Sequence, residues 1–141
     1  FQAFVDEYPE SSRIDTCNKL IDVLRYKLEH KDYDQLKQYH NLADYFNDYK
    51  AVITSSKNFL KEFPDSKYVE EVAYLIIESY YLLAIKSVPG KKMERLDSAI
   101  ESYLKFVDLY PKSSYLSKAE GVYTSCLQVK ENIIKKEKNG F

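Results

Sequence analysis

Apolar residues recur along the chain at spacings of three and four, which is the period of an α-helix with one buried face. Two stretches of this kind match each other position by position, and each ends at a proline, Pro64 or Pro111. The matched positions of the first stretch are Val52, Ile53, Ser56, Phe59, Leu60 and Phe63. Those of the second are Ala99, Ile100, Tyr103, Phe106, Val107 and Tyr110. The pattern predicts two amphipathic helices of the same design, each stopped by its proline.

One short phrase surrounds three prolines, Pro9, Pro64 and Pro111. An aromatic residue stands five positions before each proline and another stands one position before it. A serine follows two positions after it, and the three serines are Ser11, Ser66 and Ser113. Proline cannot continue the incoming helix, whereas its fixed φ and the serine hydroxyl both suit the start of the next one. Each phrase therefore predicts a corner between two helices.

The spacing of these corners divides the chain into seven helical segments. The stretch "HKDYDQ", where Asp32 and Gln35 form a capping-box pair, and the stretch "FND" predict two further breaks, and "SVPGKKMER" predicts an inserted loop. The predicted helices cover residues about 1–8, 11–30, 33–45, 48–63, 66–87, 93–110 and 113–136. The first of them reads as the end of a longer helix. We therefore expect residues 1–141 to form a single domain that is a fragment of a longer chain.

Self-similarity at this period is typical of stacked helical hairpins. The unit from Tyr33 to Ser66 has 34 residues and a proline at its position 32, which are the length and proline position of a tetratricopeptide repeat. The segment 66–87 is apolar around most of its circumference, which places it in the middle of an array. The sequence therefore predicts an all-α fold, a tetratricopeptide-like right-handed helical-hairpin solenoid of about six helices plus a truncated leading helix.

Composition narrows the classes of function. The 141 residues include 21 Lys plus Arg and 22 Asp plus Glu, and a net charge of −1 gives no general field that attracts nucleic acid. No stretch contains the roughly 18 apolar residues of a membrane span. The two cysteines, Cys17 and Cys126, align with core positions of the repeat and lie far apart. We therefore expect both to be small buried side chains, with no disulfide between them.

Residues suited to catalysis are sparse. Two carboxylates, Glu29 and Asp44, lie near His30 and His40 in the sequence, but their arrangement is not specific to a metal site, and the carboxylate pairs fall on solvated helix faces. The sequence contains no glycine-rich phosphate loop, nucleophile elbow or HExxH motif. It therefore predicts a protein that is not an enzyme and that needs no cofactor or metal.

Binding to other proteins is the remaining class of function. The first helix of each hairpin lines the groove of a tetratricopeptide-like array, and the groove positions of the 34-residue unit are Asp34, Lys37, Asn41 and Asp44. The predicted loop adds three neighbouring cations, Lys91, Lys92 and Arg95. Two interpretations of these cations remain open: a docking site for an acidic partner or an anionic lipid head group, and an ordinary solvated turn.

The chain resembles the BamD family, the tetratricopeptide-repeat lipoproteins of the bacterial outer-membrane β-barrel assembly machinery. The resemblance rests on "FQAFVDEYPESS" and its continuation through "KNFLKEFPDSKY", on "EVAYLIIESYYLLAIKS" and on "YLKFVDLYPKSSYLSKAE". It covers almost the whole chain and corresponds to the later repeats of that family.

The resemblance implies a scaffold at the periplasmic face of the bacterial outer membrane. The later repeats would dock the periplasmic domains of the barrel core protein, and unfolded outer-membrane proteins are a further expected partner. Attachment to the membrane would come only from a lipid anchor upstream of residue 1. Two alternatives remain, another periplasmic helical-repeat adaptor associated with the envelope or with division, and the docking arm of a larger enzyme.

Overall fold

Five α-helices account for most of residues 14–139, which are the residues that the computed structural model of the chain describes. They are α1 (Ile14–Phe46), α2 (Tyr49–Glu62), α3 (Val69–Ile85), α4 (Pro89–Leu109) and α5 (Leu116–Asn139). No strand occurs within these residues, so the predicted all-α class is confirmed. The predicted helix over residues 1–8 and the predicted corner at Pro9 lie outside the described residues.

The helices form hairpins around α3. Each helix packs against the next one along the chain, and α3 also packs against α5. The connections between α1 and α2 and between α3 and α4 contain only residues 47–48 and 86–88, short enough for helical hairpins. Since α3 contacts α2, α4 and α5, it lies in the middle of the helices, as its nearly continuous apolar surface predicts.

The corner at Pro64 is held by backbone hydrogen bonds and by its serine. The Phe63 N–H donates to the Phe59 carbonyl at 2.8 Å, and the Ser66 N–H donates to the Phe63 carbonyl at 3.1 Å. The Ser66 hydroxyl accepts from the Tyr68 N–H at 3.1 Å. The predicted serine bond is therefore present, although it lies in the turn just before α3 rather than at the helix N-cap.

The corner at Pro111 repeats this geometry. The Tyr110 N–H donates to the Phe106 carbonyl at 2.7 Å, and the Ser113 N–H donates to the Tyr110 carbonyl at 3.1 Å. The Ser113 hydroxyl accepts from the Tyr115 N–H at 3.1 Å. The two described copies of the sequence phrase therefore build the same structure, which confirms their interpretation as corners.

α1 is a single helix of 33 residues, and the predicted break at "HKDYDQ" is wrong. No glycine or proline interrupts its sequence. Asp32 and Gln35 lie in the helix interior and start no new helix. Leu36 and Ala43, seven residues apart, are both buried in the core formed with α2. His30 and Tyr33, one on each side of the predicted break, both pack against Tyr68, which favours an uninterrupted helix over the weak local capping signal.

The first half of α1 is tied to the corner between α2 and α3. The Arg25 guanidinium donates to the backbone carbonyl of Glu62 at 2.8 Å and lies over the Phe63 ring. The Ser66 hydroxyl donates to the Glu29 carboxylate at 2.5 Å. These contacts hold residues that precede the predicted break, which is a second reason why the helix continues through it.

α1 ends at the predicted "FND" turn. Asn47 has a φ of 56°, a left-handed conformation that asparagine adopts more readily than most residues. Asp48 caps α2, since its carboxylate accepts from the Ala51 N–H at 3.3 Å. This predicted break is confirmed.

The predicted loop over "SVPGKKMER" is wrong for most of its length, because α4 begins at Pro89. Proline suits the first position of a helix, because an N–H group there would have no partner within the helix and because the fixed φ of proline is already helical. Lys91, Lys92 and Arg95 therefore lie in the first two turns of α4 and not on a loop. The number of helices is unaffected by this shift, and the continuous α1 alone reduces the predicted six complete helices to five over the described residues.

The core is shared between neighbouring hairpins. One buried cluster joins α1, α2 and α3 and consists of Leu36, Ala43, Tyr49, Val52, Phe59, Phe63, Val72 and Leu75. Two others join α3, α4 and α5 and consist of Ala84, Leu96, Ala99 and Cys126, and of Ile77, Phe106 and Ala119. Burial raises the pKa of the Cys126 thiol to about 11, whereas Cys17 is only partly buried. The prediction that both cysteines are buried is therefore confirmed for Cys126 and holds only in part for Cys17.

Candidate functional site

A row of polar side chains joins α1 to α3, and we call it the α1–α3 seam. Its members on α1 are spaced by four, three and four residues, which places them on one face of the helix. They are Tyr33, Lys37, His40 and Asp44. Their partners are Glu71 and Glu78 on α3 and Lys86, which directly follows α3. The two helices therefore meet through hydrogen bonds and charges at matching intervals.

At the first end of the seam, the Tyr33 hydroxyl donates to the Glu71 carboxylate, 2.7 Å from Oε1. Lys37 Nζ lies 3.5 Å from Oε2 of the same carboxylate. The Tyr33 ring stacks on Tyr68 with a centroid distance of 3.8 Å. Burial, and then the hydrogen bond to Glu71, raise the pKa of Tyr33, so its hydroxyl remains a donor across the neutral range.

In the middle of the seam, His40 Nε2 lies 3.2 Å from Oε1 of Glu78. This hydrogen bond and a weaker contribution from Tyr74 lower the pKa of the Glu78 carboxyl, although burial opposes them. Burial and the Glu78 charge in turn raise the pKa of Tyr74 to about 12. The Tyr74 ring stacks on Tyr115 of the next corner at 5.8 Å. The seam is thereby connected to the elements that lead into α5.

At its other end, the seam is exposed to solvent. Lys86 Nζ lies 2.5 Å from Oδ1 of Asp44, and the Tyr49 hydroxyl donates to the same oxygen at 2.6 Å. The hydrogen bonds from Lys86 and Tyr49 lower the pKa of the Asp44 carboxyl. Exposed ion pairs add little stability, so this contact mainly fixes the position of the α3–α4 connection relative to α1.

The four groove residues predicted on α1 divide into two pairs. Lys37 and Asp44 belong to the seam and already bind Glu71 and Lys86. Asp34 and Asn41 are exposed, and each lies two residues before a position buried against α2, Leu36 or Ala43. Two residues correspond to about 200° of rotation around a helix, so Asp34 and Asn41 face away from α2. They form a polar surface beside the seam.

The three predicted cations are placed on a different helix. Lys91 and Lys92 lie in the first turn of α4, where the helix macrodipole disfavours positive charge. The Arg95 guanidinium donates to the Ser87 hydroxyl in the α3–α4 connection. Arg95 therefore has a local partner, and the structure does not gather these three residues and the α1 residues into one site.

Sequence reasoning missed the members of the seam that lie outside the predicted groove. Tyr33 was not assigned to a surface, and His40 was interpreted as an ordinary surface or turn residue. The sequence pattern assigns the carboxylate pair of Glu70 and Glu71 to a solvated face and gives Glu78 no role in a site. A signal was present, because Glu71 and Glu78 are seven residues apart and their partners Tyr33 and His40 are also seven apart. Matching polar intervals on two neighbouring helices indicate such a contact.

Replacing Glu78 with glutamine is expected to lower the free energy of unfolding by about 1–2 kcal/mol at pH 7, because a hydrogen-bonded, half-buried carboxylate is lost. The folded-state pKa of Glu78 is lower than the ordinary value of 4.5. Its contribution is therefore complete above that value and disappears as the pH falls through the folded pKa. Urea unfolding at pH 7, 5 and 3 measures this, and the difference between parent and variant should shrink on acidification.

Glu101→Gln is the matched control for that experiment. The Glu101 side chain is 71% exposed, and its single ion pair with a residue of the described range joins it to Lys105, one turn away, at 3.7 Å. Its substitution should change stability by less than about 0.5 kcal/mol. If Glu78→Gln lowered the free energy of unfolding by the same amount at pH 7 and at pH 3, the charged carboxylate would have no stabilising role in the seam.

Other kinds of site have little support in the described part of the chain. No group of three or more His, Cys, Asp and Glu side chains there could hold a metal ion. Within residues 14–139, no helix combines the length and apolar character that crossing a membrane requires. A comparison with protein-family models gives no match, and a comparison with curated proteins gives no significant match.

Proposed function

We propose that this chain is a non-enzymatic scaffold that binds other proteins, and that it acts as a BamD-like component in the assembly of outer-membrane β-barrels. The observation that carries the proposal is the pair of corners with matching hydrogen bonds at Pro64 and Pro111. In both corners the aromatic-Pro-x-Ser phrase on which the resemblance rests forms a turn between two packed helices, which supports an array of stacked hairpins. Such arrays expose long surfaces that bind proteins.

The polar surface of α1 beside the seam is the proposed contact surface. The Asp34 and Asn41 side chains are exposed and form no hydrogen bond or ion pair with other described residues. The seam fixes α1 relative to α3, so this surface is held on a rigid support. A rigid surface loses little conformational entropy on binding.

The family resemblance supplies the proposed partner and location. The array would dock the periplasmic domains of the barrel core protein on the periplasmic face of the outer membrane, and unfolded outer-membrane proteins are a further proposed partner. A lipid anchor upstream of residue 1 would provide the only membrane attachment. The lysines at the start of α4, Lys91 and Lys92, are a second proposed point of contact with an acidic surface.

Isothermal titration of the chain with the periplasmic domains of the barrel core protein from the same genome tests this proposal. The expected result is a complex that the double variant Asp34→Arg with Asn41→Arg weakens at least tenfold, because two exposed positions in the contact change charge. The matched control, Asp108→Arg with Asn132→Arg, alters exposed positions on α4 and α5 and should bind like the parent. No binding by the parent, or equal binding by the first variant, would overturn the proposal.

A further inference from the structure

A second exposed surface lies on another side of α1, along its groove with α2. Tyr39, Leu42 and Phe46 are spaced by three and four residues and are 38%, 50% and 65% exposed. Together with Ala51 of α2 they line a cavity of 250 Å³. A contiguous apolar surface of this kind, bordered by polar residues, marks a binding site more often than a scattered exposed residue does.

A second cavity lies between the same two helices. The second cavity measures 200 Å³, and its lining includes Gln35 of α1 and Ser55 and Asn58 of α2. Gln35 Nε2 donates to the Tyr39 hydroxyl at 3.0 Å, so the two cavities adjoin. We call the combined surface, lined by residues of α1 from Asp32 to Phe46 and of α2 from Asp48 to Glu62, the α1–α2 groove.

The equivalent cleft in the next hairpin indicates what shape of partner fits this groove. Four of its α2 positions recur 47 residues later on α4, where they line the cleft between α2 and α4. The pairs are Ala51 and Ser98, Ser55 and Ser102, Asn58 and Lys105, and Glu62 and Leu109. In that later cleft a helix, α2, forms the facing wall through Lys57 and Leu60. No described helix occupies the corresponding place at the α1–α2 groove, so the shape fits a helix.

Charge indicates the chemistry of that helix. Asp32, Asp48 and Glu62 line the groove, and no lysine or arginine lines it. None of these three carboxylates forms an ion pair within residues 14–139. The equivalent cleft in the next hairpin is lined by two cations, Lys57 and Lys105, and by one carboxylate, Glu101. The groove is therefore complementary to a helix with an apolar face and basic flanks.

The leading segment of the chain is too short to be the occupant. Residues 1–13 join α1 at Ile14, which is 25 positions before Tyr39. That separation is about 37 Å along an α-helix, whereas the predicted helix over residues 1–8 is only about 12 Å long. A helix over residues 1–8 is therefore too short to reach Tyr39 from Ile14.

We propose that the α1–α2 groove binds a basic amphipathic helix of a partner protein. The helix lies against α1 and α2, places apolar side chains on Tyr39, Leu42 and Phe46, and directs Lys or Arg toward Asp32 and Glu62. This inference rests on the proposed function, because it assumes that the array binds other proteins. It adds a surface distinct from the one that contains Asp34 and Asn41.

The test uses two fluorescent 14-residue helical peptides with leucine on one face and either lysine or glutamate on the other, titrated into the 141-residue chain by anisotropy. The Leu/Lys peptide is expected to bind at least tenfold more tightly than the Leu/Glu peptide. Leu42→Gln with Phe46→Gln should weaken its binding at least tenfold, and so should Asp32→Lys with Glu62→Lys. Leu104→Gln with Leu127→Gln, the matched control at exposed apolar positions of α4 and α5, should bind within twofold of the parent.

Several outcomes would overturn the inference. They are absence of binding to the parent, equal binding of both peptides, retained binding by the groove variants, and equal weakening by the control. Self-association in sedimentation that Leu42→Gln with Phe46→Gln abolishes would show that a second copy is the occupant instead. Circular dichroism verifies that each variant is folded. The groove variants leave Asp34 and Asn41 unchanged. If they lose peptide binding but still bind the barrel core domains, the result concerns the groove and leaves the proposed function unaffected.

Discussion

Replacing Phe106 with alanine is expected to destabilise the chain by about 3–5 kcal/mol, the range for removing a large aromatic side chain from a core. Phe106 lies on α4 and is only 2% exposed. It packs with Ile77 of α3 and Ala119 of α5, and its ring lies 5.4 Å from that of Tyr110 at the corner. A single side chain thus joins three helices, and the cavity left by its loss has walls on three separate elements that cannot all collapse into it.

Urea unfolding at pH 7 measures this effect, and Leu109→Ala is the matched control. Leu109 lies three residues later on the same helix and is 68% exposed, so its loss should change stability by less than about 1 kcal/mol. Phe59→Ala, the equivalent change at the first corner, should resemble Phe106→Ala, because Phe59 is also 2% exposed. Equal stability of the Phe106 and Leu109 variants would show that α4 does not pack on α3 and α5 as described.

The corners were predictable because several independent constraints agree there. Each proline prevents the residue before it, Phe63 or Tyr110, from continuing the helix. The hydroxyl groups of Ser66 and Ser113 then accept hydrogen bonds from backbone N–H groups of the following turn. The apolar spacing on both sides of each proline specifies which face is buried. Agreement between local chemistry and hydrophobic pattern is the condition under which a sequence determines its structure most clearly.

The wrong boundaries came from local signals that tertiary contacts override. A capping-box pair at Asp32 and Gln35 contributes only on the order of 1 kcal/mol. Residues on both sides of that pair, His30 and Tyr33, pack against Tyr68, and these contacts favour the continuous helix. At Pro89 the error concerned the role of proline, which starts α4 instead of marking a loop. The continuous α1 therefore depends on contacts outside the local stretch, whereas the start of α4 follows from the local preference of proline for the first helical position.

The candidate site was predictable only in part for a related reason. Repeat position identifies the exposed face of α1, where Asp34 and Asn41 lie. The seam, however, depends on which residues of α3 reach that helix, and this is set by the separation and crossing of two helices that are not adjacent in sequence. Lys37 and Asp44 therefore became inter-helix contacts in the structure, although the sequence pattern alone assigns them to the groove.

Replacing Asp34 with proline is expected to destabilise the chain by about 3 kcal/mol or more relative to Asp34→Ala. In the continuous helix α1 the Asp34 N–H donates to the carbonyl of His30, and a proline ring would both remove this bond and clash with that carbonyl. If a new helix began at Asp32 instead, Asp34 would lie in its first turn, where the N–H groups have no helical partner. Proline would then be tolerated.

Asp34 is the suitable position for this test because its side chain is exposed, so Asp34→Ala removes no packing. The difference between the proline and alanine variants therefore reports the effect on the backbone. Urea unfolding measures the difference between the two variants, and far-ultraviolet circular dichroism measures the loss of helix. A kink near Asp34 would also displace Tyr33 and Lys37 from Glu71, so disruption of the seam adds to the backbone penalty. A proline variant within about 1 kcal/mol of the alanine variant would instead place a helix boundary at "HKDYDQ", and the two halves of α1 would no longer form one rigid support for the contact surface.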